Sequence, residues 1–228
     1  MRKYLSLLTF TLAFSFFVSA QTKSIDSLRK AKDLALRAAI HEDSVKIEKE
    51  FSEKEKMEAI FSKAEYPLIK GGKFSGLIPV KDPTEIPDPN IDYKLLFELT
   101  YDNPDSLAKE INGGLTEITR VINLHYASGI PLKRIIPVII VHGSALNAIR
   151  NNGSYQKNFK LENPNVQLIN DLENKVGAKF IACGQAMAFF EVNKDDLLPD
   201  VKVSLTAQTV LSHYQLKGYV LYKINDVK

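Results

Sequence analysis

From Ile91 onward the chain alternates strand-like and helix-like segments, and that alternation leaves few folds open. Its anchor is Arg134 to Val141 (RIIPVIIV), a continuous apolar run of the kind a strand buried on both faces requires. Pro137 interrupts the run, and a proline removes a donor from a sheet ladder. Before it, Tyr93 to Thr100 is strand-like and ends at Asp102-Asn103-Pro104. A helix is predicted next, capped by Asp105 or Ser106, with Leu107, Ile111, Leu115, Ile118 and Ile122 recurring at threes and fours. Gly129 and Pro131 stop it. A helical turn at 144–150 follows, then a polar loop through Asn151, Asn152 and Gly153, and a helix from Asn165 to Lys175. Lys179 to Cys183 is a short strand with a helix over 185–190, and Val201 to Leu205 a fourth strand. Ala207 to Leu216 is a helix ended by Gly218, and Tyr219 to Ile224 a fifth strand. The expected fold is a three-layer α/β/α domain with a mainly parallel five-stranded sheet.

Three regions precede this domain, which occupies residues 91–228. Residues 1–20 read as a secretory signal peptide. Arg2 and Lys3 form a positive start, Leu5 to Val18 an apolar run, and Val18-Ser19-Ala20 a cleavage pattern before Gln21. The apolar run is shorter than the roughly 20 residues a spanning helix needs. No cysteine follows it to carry a lipid anchor, and nothing later could span a bilayer. The expectation is an exported, periplasmic protein that is soluble once the leader is removed. Residues 21–64 form a charged helical arm: from 22 on they are rich in Lys, Glu, Asp and Ala, without Gly or Pro. Leu36, Ile40, Ile47 and Phe51 give this arm a narrow apolar stripe, which could dock on the domain, meet another subunit or stay solvated. Residues 65–90 carry Pro67, Gly71, Gly72, Gly76, Pro79, Pro83, Pro87 and Pro89 and read as a linker or strap, pinned in part by Leu77-Ile78-Pro79-Val80.

Charge excludes one large class of partners. Without Arg2 and Lys3, 28 basic residues face 27 acidic ones, and no basic stripe offers a surface for nucleic acid. A single cysteine rules out an intramolecular disulfide. No P-loop, glycine-rich dinucleotide turn, serine elbow or metal-ligand cluster is present, and the turn at 100–106 lacks a phosphate cradle, so no cofactor and no metal are expected.

What remains is the edge where parallel strands end, outside which ligands of such sheets bind. His142-Gly143-Ser144 ends the second strand and Cys183-Gly184-Gln185 the third. A thiol where a strand gives way to a helix sees unpaired N–H groups and the positive dipole end, which favour thiolate. Gly184 leaves that sulfur unshielded, and His142 could assist if it lies close. A free cysteine is also among the most buried residue types, so position alone leaves reactivity and packing both open. His125 reads as a half-buried helix residue, and His41 and His213 have no partner at ligand spacing.

Several stretches carry a resemblance. Arg120-Val121-Ile122-Asn123-Leu124-His125, the VIIVHG turn ending at His142-Gly143, and Asn163-Pro164-Asn165 look like the DsrE/DsrF-like family. So do Phe180 to Gln185 (FIACGQ) and Gln215 to Tyr219 (QLKGY). The chain resembles the exported branch of that family with an N-terminal helical extension. The resemblance implies homo- or hetero-oligomers and a sulfur relay in which Cys183 carries a persulfide. It makes Cys183 and His142 the reactive pair and Gly143, Gly184 and Gln185 the binding residues, with the Gly184 and Gln185 N–H groups on the sulfur. With one cysteine, any relay needs a thiol or persulfide partner protein. The alternatives are a non-catalytic oligomeric binding or assembly module and a redox-sensing thiol protein.

Overall fold

The computed structural model describes the backbone of residues 2–225 and the side chains of residues 27–225. The leader segment read at residues 1–20 has its side chains outside the described residues. Two compact units divide the chain, Met1–Ala59 and Ile60–Lys228. Among the described residues, no helix is long and apolar enough to cross a membrane.

Helix α1 (Arg2–Phe61) makes up the first unit, with its last two residues, Ile60 and Phe61, counted in the second. Its described part is built from good helix formers, supported by the i,i+4 pairs Arg37–Asp33 at 2.9 Å and Lys49–Glu53 at 3.9 Å. Such exposed pairs contribute only tenths of a kcal/mol each, about 0.3–0.5.

The second unit opens on a strap. Glu65 and Leu77 form an antiparallel bridge, and the buried Asn123 side chain fastens the segment between them. Its Oδ1 accepts from the Leu68 and Ile69 N–H groups, and its Nδ2 donates to the Ile69 and Ser75 carbonyls. The segment is thus pinned through one amide, which satisfies four backbone groups that a buried loop would otherwise leave unpaired, whereas Ile78 and Val80 of the apolar patch expected to hold it are exposed.

Five strands follow: β1 (Tyr93–Leu99), β2 (Ile135–Val141), β3 (Lys179–Cys183), β4 (Lys202–Ser204) and β5 (Val220–Ile224). They form one sheet in the order β4-β3-β2-β1-β5, and every pairing is parallel. Leu96 lies opposite Val138, and Ile140 opposite Ile181. Pro137 is accommodated because β3 pairs with β2 only from Val138 onward, so β1 alone flanks the proline.

The connecting helices are α2 (Gly113–Ala127), α3 (Asn152–Phe159), α4 (Val166–Val176), α5 (Gly184–Phe189) and α6 (Ala207–Leu216). Strand alternation divides the core into two layers. Leu95, Phe97, Leu99 and Ile139 pack with Leu115, Ile118 and Ile122 of α2 and Leu168, Ile169 and Leu172 of α4. On the opposite face, Leu96, Val138, Ile140, Ile181 and Cys183 pack with Ala207 and Leu211 of α6. One face thus carries several helices and the other α6, which completes the three layers.

Two helices differ from the sequence expectation. The helix expected from Asp105 or Ser106 begins at Gly113, because Asn112 caps it: its Oδ1 accepts from the Gly114 and Leu115 N–H groups. Asp105–Leu107 is a separate 3-10 turn, tied by Asn103 Nδ2 to the Leu107, Glu110 and Ile111 carbonyls. Close packing needs Gly114, whose Cβ would lie 2.4 Å from Leu99. The expected polar loop at 151–153 opens helix α3 instead, since Asn151 Oδ1 accepts from the Ser154 N–H.

Candidate functional site

Cys183 ends β3 at the C-terminal edge of the sheet, and the next residue begins α5. Its side chain lies in the layer shared with α6, against which Ala186 of α5 also packs. There the Ala207 N–H, at the first position of α6, donates to Sγ at 3.2 Å. The helix terminus that serves the sulfur is therefore that of α6, which Thr206 also caps through its hydroxyl on Gln208 N–H. Cys183 is 5% exposed, packed among Leu96, Ile140, Ile181 and Leu211. Ala207 at the start of α6 packs against it; Phe189 lies largely in solvent, 81% exposed, and Phe190 is 44% exposed.

The two residues after the cysteine serve the neighbouring strand. A Cβ on Gly184 would fall 2.6 Å from the Ser204 carbonyl oxygen, so only glycine lets β3 run this close to the end of β4. The Gln185 N–H donates to the Leu205 carbonyl at 3.1 Å, which commits it away from Sγ. These contacts hold Leu205 in place two residues before the Ala207 donor. The Gln185 side chain is exposed at the edge.

His142 leaves β2 in extended conformation, with its N–H on the Leu99 carbonyl. Strands β2 and β3 are neighbours, and Val141 lies opposite Ala182, so His142 and Cys183 end adjacent strands on the same face. The imidazole turns toward β1, where Nε2–H donates to Glu98 Oε1 at 3.1 Å. Among the described residues no hydrogen bond joins the ring to the sulfur. Gly143 follows at φ 66°, in the left-handed region, with nothing within 4 Å of where a Cβ would be. It turns the chain from the strand into a 3-10 segment, Gly143–Ile149.

Glu98 is the site residue that sequence reasoning missed. Its signal was a lone carboxylate between the buried Phe97 and Leu99, on the same face as Leu96 and two positions on. Sequence reading also missed a partly buried polar network in the loops after β1 and β2. Asp102 Oδ2 accepts from Asn147 Nδ2 at 2.8 Å, and Asn147 Oδ1 accepts from Arg150 Nε at 3.0 Å. Arg150 Nη1 donates to the Ser154 hydroxyl at 2.8 Å. Burial holds the Asp102 carboxyl above the usual carboxylate range, against the lowering pull of Asn147, and burial pushes the Arg150 guanidinium down. Asn163 and Asn165 complete the clamp: Asn163 Nδ2 donates to the Ala148 and Arg150 carbonyls, and Asn165 Oδ1 accepts from the Asn112 N–H. The Asn163-Pro164-Asn165 motif thereby locks the loops after β1 and β2 together.

Of the other histidines, His125 is half-buried between Tyr93 and Tyr222, with Nδ1–H on the Val121 carbonyl. Among the described residues no three Cys, His, Asp or Glu side chains cluster as a metal site would need.

A three-layer α/β/α domain with one thiol at the strand-end edge of a parallel sheet is the class that these features define. The model of the DsrE/DsrF-like family matches residues 110–222, which run from just before α2 into β5. The chain belongs to the DsrE/DsrF-like family through this domain. Among solved structures it is similar to a protein of unknown function, MTH1491 from Methanobacterium thermoautotrophicum. The identity is 19% and the TM-score 0.43, over 58% of this chain and 99% of that one. No curated protein matches the chain.

Proposed function

We propose that the protein is a carrier of sulfane sulfur, or a thiol-transfer protein, acting through Cys183. The observation that carries the reading is the hydrogen bond from the Ala207 N–H to Sγ at the start of α6. A backbone donor and a positive dipole end both favour the anionic form of a sulfur, whether thiolate or persulfide. In such a cycle the Cys183 thiolate takes the terminal sulfur of a polysulfide or persulfide donor, which leaves one sulfur shorter. The resulting persulfide is attacked by the thiolate of a partner protein, which carries the sulfur away and returns Cys183 to thiolate. In this reading His142, hydrogen-bonded to Glu98, handles a proton at the rim. Because Cys183 is buried, transfer requires the Leu205–Ala207 turn to open.

Treating the native protein with a polysulfide and recording its intact mass tests this. A +32 Da adduct localised to Cys183 and removable by a thiol is expected. An unmodified Cys183, equally resistant to alkylation in the native state, overturns the proposal.

Burial favours a second reading, in which Cys183 only fills the layer beneath α6 and the protein is a binding or assembly module. Under that reading Cys183→Ala costs stability, and no sulfur species changes with the protein present. We also propose export to the periplasm, from the pattern Arg2-Lys3, Leu5 to Val18 and Val18-Ser19-Ala20. N-terminal sequencing of the protein from a periplasmic fraction should begin at Gln21; a retained Met1 in the cytoplasm would refute it.

A further inference from the structure

Helix α1 leaves its apolar residues in solvent: Leu36, Ile40, Ile47 and Phe51 are 57%, 57%, 64% and 62% exposed. At 100° per residue these four lie within one narrow sector of the helix surface, which also holds Arg29, Asp33, Lys54 and Glu58. The eight positions follow the three-and-four spacing of a coiled-coil seam, interrupted once near Asp43 and Ser44.

The seam is symmetric about that interruption. Reversing one helix against a second copy, centred between Asp43 and Ser44, sets Leu36 opposite Phe51 and Ile40 opposite Ile47. It also sets Arg29 opposite Glu58 and Asp33 opposite Lys54, so every charged position in the seam meets its opposite sign. A parallel pairing in register would place each of these charges against itself, at a cost. The bulk charge points the same way. Residues 27–40 hold four basic side chains and one acidic, whereas residues 41–61 hold seven acidic and four basic. Antiparallel association lays each basic half along an acidic half.

We infer that α1 is a self-association element that pairs antiparallel with the α1 of a second copy of this chain, with the layers Arg29–Glu58, Asp33–Lys54, Leu36–Phe51 and Ile40–Ile47. The inference stands on the arm alone and is independent of any sulfur chemistry.

Disulfide trapping in the intact chain tests both partner and direction. Two proteins, each with Cys183→Ser, carry Asp33→Cys and Lys54→Cys respectively and are mixed in a glutathione redox buffer. Antiparallel pairing brings position 33 to position 54, whereas two copies of position 33 stand about 30 Å apart along the axis. The mixed disulfide should exceed either homodisulfide by about tenfold. Ile40→Asp with Ile47→Asp, at exposed positions that leave the α/β unit untouched, should abolish it. Homodisulfides at or above the mixed species, or no trapping at all, overturn the inference. So does trapping that survives the paired aspartates.

Discussion

Around the thiol, single residues act through backbone geometry more than through side-chain chemistry. Gly184 is the clearest case, since the atom its Cβ would strike is a carbonyl oxygen at 2.6 Å, which cannot rotate aside. Gly184→Ala should therefore push β4 from β3 and carry the Ala207 donor away from the sulfur. A loss of about 1–3 kcal/mol in urea unfolding is expected, together with faster alkylation of Cys183. Asp102 makes a pH-dependent case. Burial raises its folded-state pKa above the ordinary 3.8, so the folded chain binds its proton more tightly than the unfolded chain does. Asp102 thus favours the folded state most at low pH, and that contribution is lost as pH rises through the folded pKa. Asp102→Asn can keep the hydrogen bond from Asn147 and does not titrate. Its stability relative to the parent should improve from about pH 3.5 to about pH 7, read as the difference in urea midpoints. A difference independent of pH would show that the carboxyl is not desolvated as described.

At the level of elements, side-chain amides set where helices begin and where the strap is held. Asn112 moves the start of α2 eight residues past Asp105, because only Asn112 reaches the Gly114 and Leu115 N–H groups. Asn112→Ala should cost about 1–2 kcal/mol, with the loss localised by faster amide exchange in the first turn of α2. Asn123 does the same for the strap through its four backbone partners. Asn123→Leu should release residues 65–77 to limited proteolysis while leaving the strands protected. Cleavage at the parent rate would remove Asn123 from this account.

For the whole molecule, the two units rest on different physics. The α/β unit is held by two apolar layers on either side of its sheet, whereas α1 exposes its apolar stripe and has halves of opposite net charge. Association through α1 should accordingly weaken with ionic strength, since screening shortens to about 3 Å at 1 M salt and affects exposed charges most. Sedimentation of the intact chain at low and high salt should show the arm-dependent dimer losing affinity as salt rises, without loss of the α/β fold. An association indifferent to salt would leave the charged halves without a role.

The alternation of segments from Ile91, the uninterrupted run of β2 and the placement of Cys183 and His142 at strand ends were all legible in the residues, because burial on two faces and strand-to-helix succession leave direct compositional traces. The Gly- and Pro-rich strap and the apolar stripe of α1 were equally visible. Other features depended on which strands became neighbours. Strand order made β2 adjacent to β3 and so brought His142 beside Cys183, and it made β1 adjacent to β2 and so gave His142 its partner Glu98. The direction of the thiol was likewise a tertiary matter. Local sequence suggested the helix that follows Cys183, but Sγ lies in the layer under α6, where a segment 24 residues further on supplies the N–H. Local spacing records which face and which edge a residue occupies; the partner it meets there is decided by chain segments far away along the sequence, through the packing of the sheet.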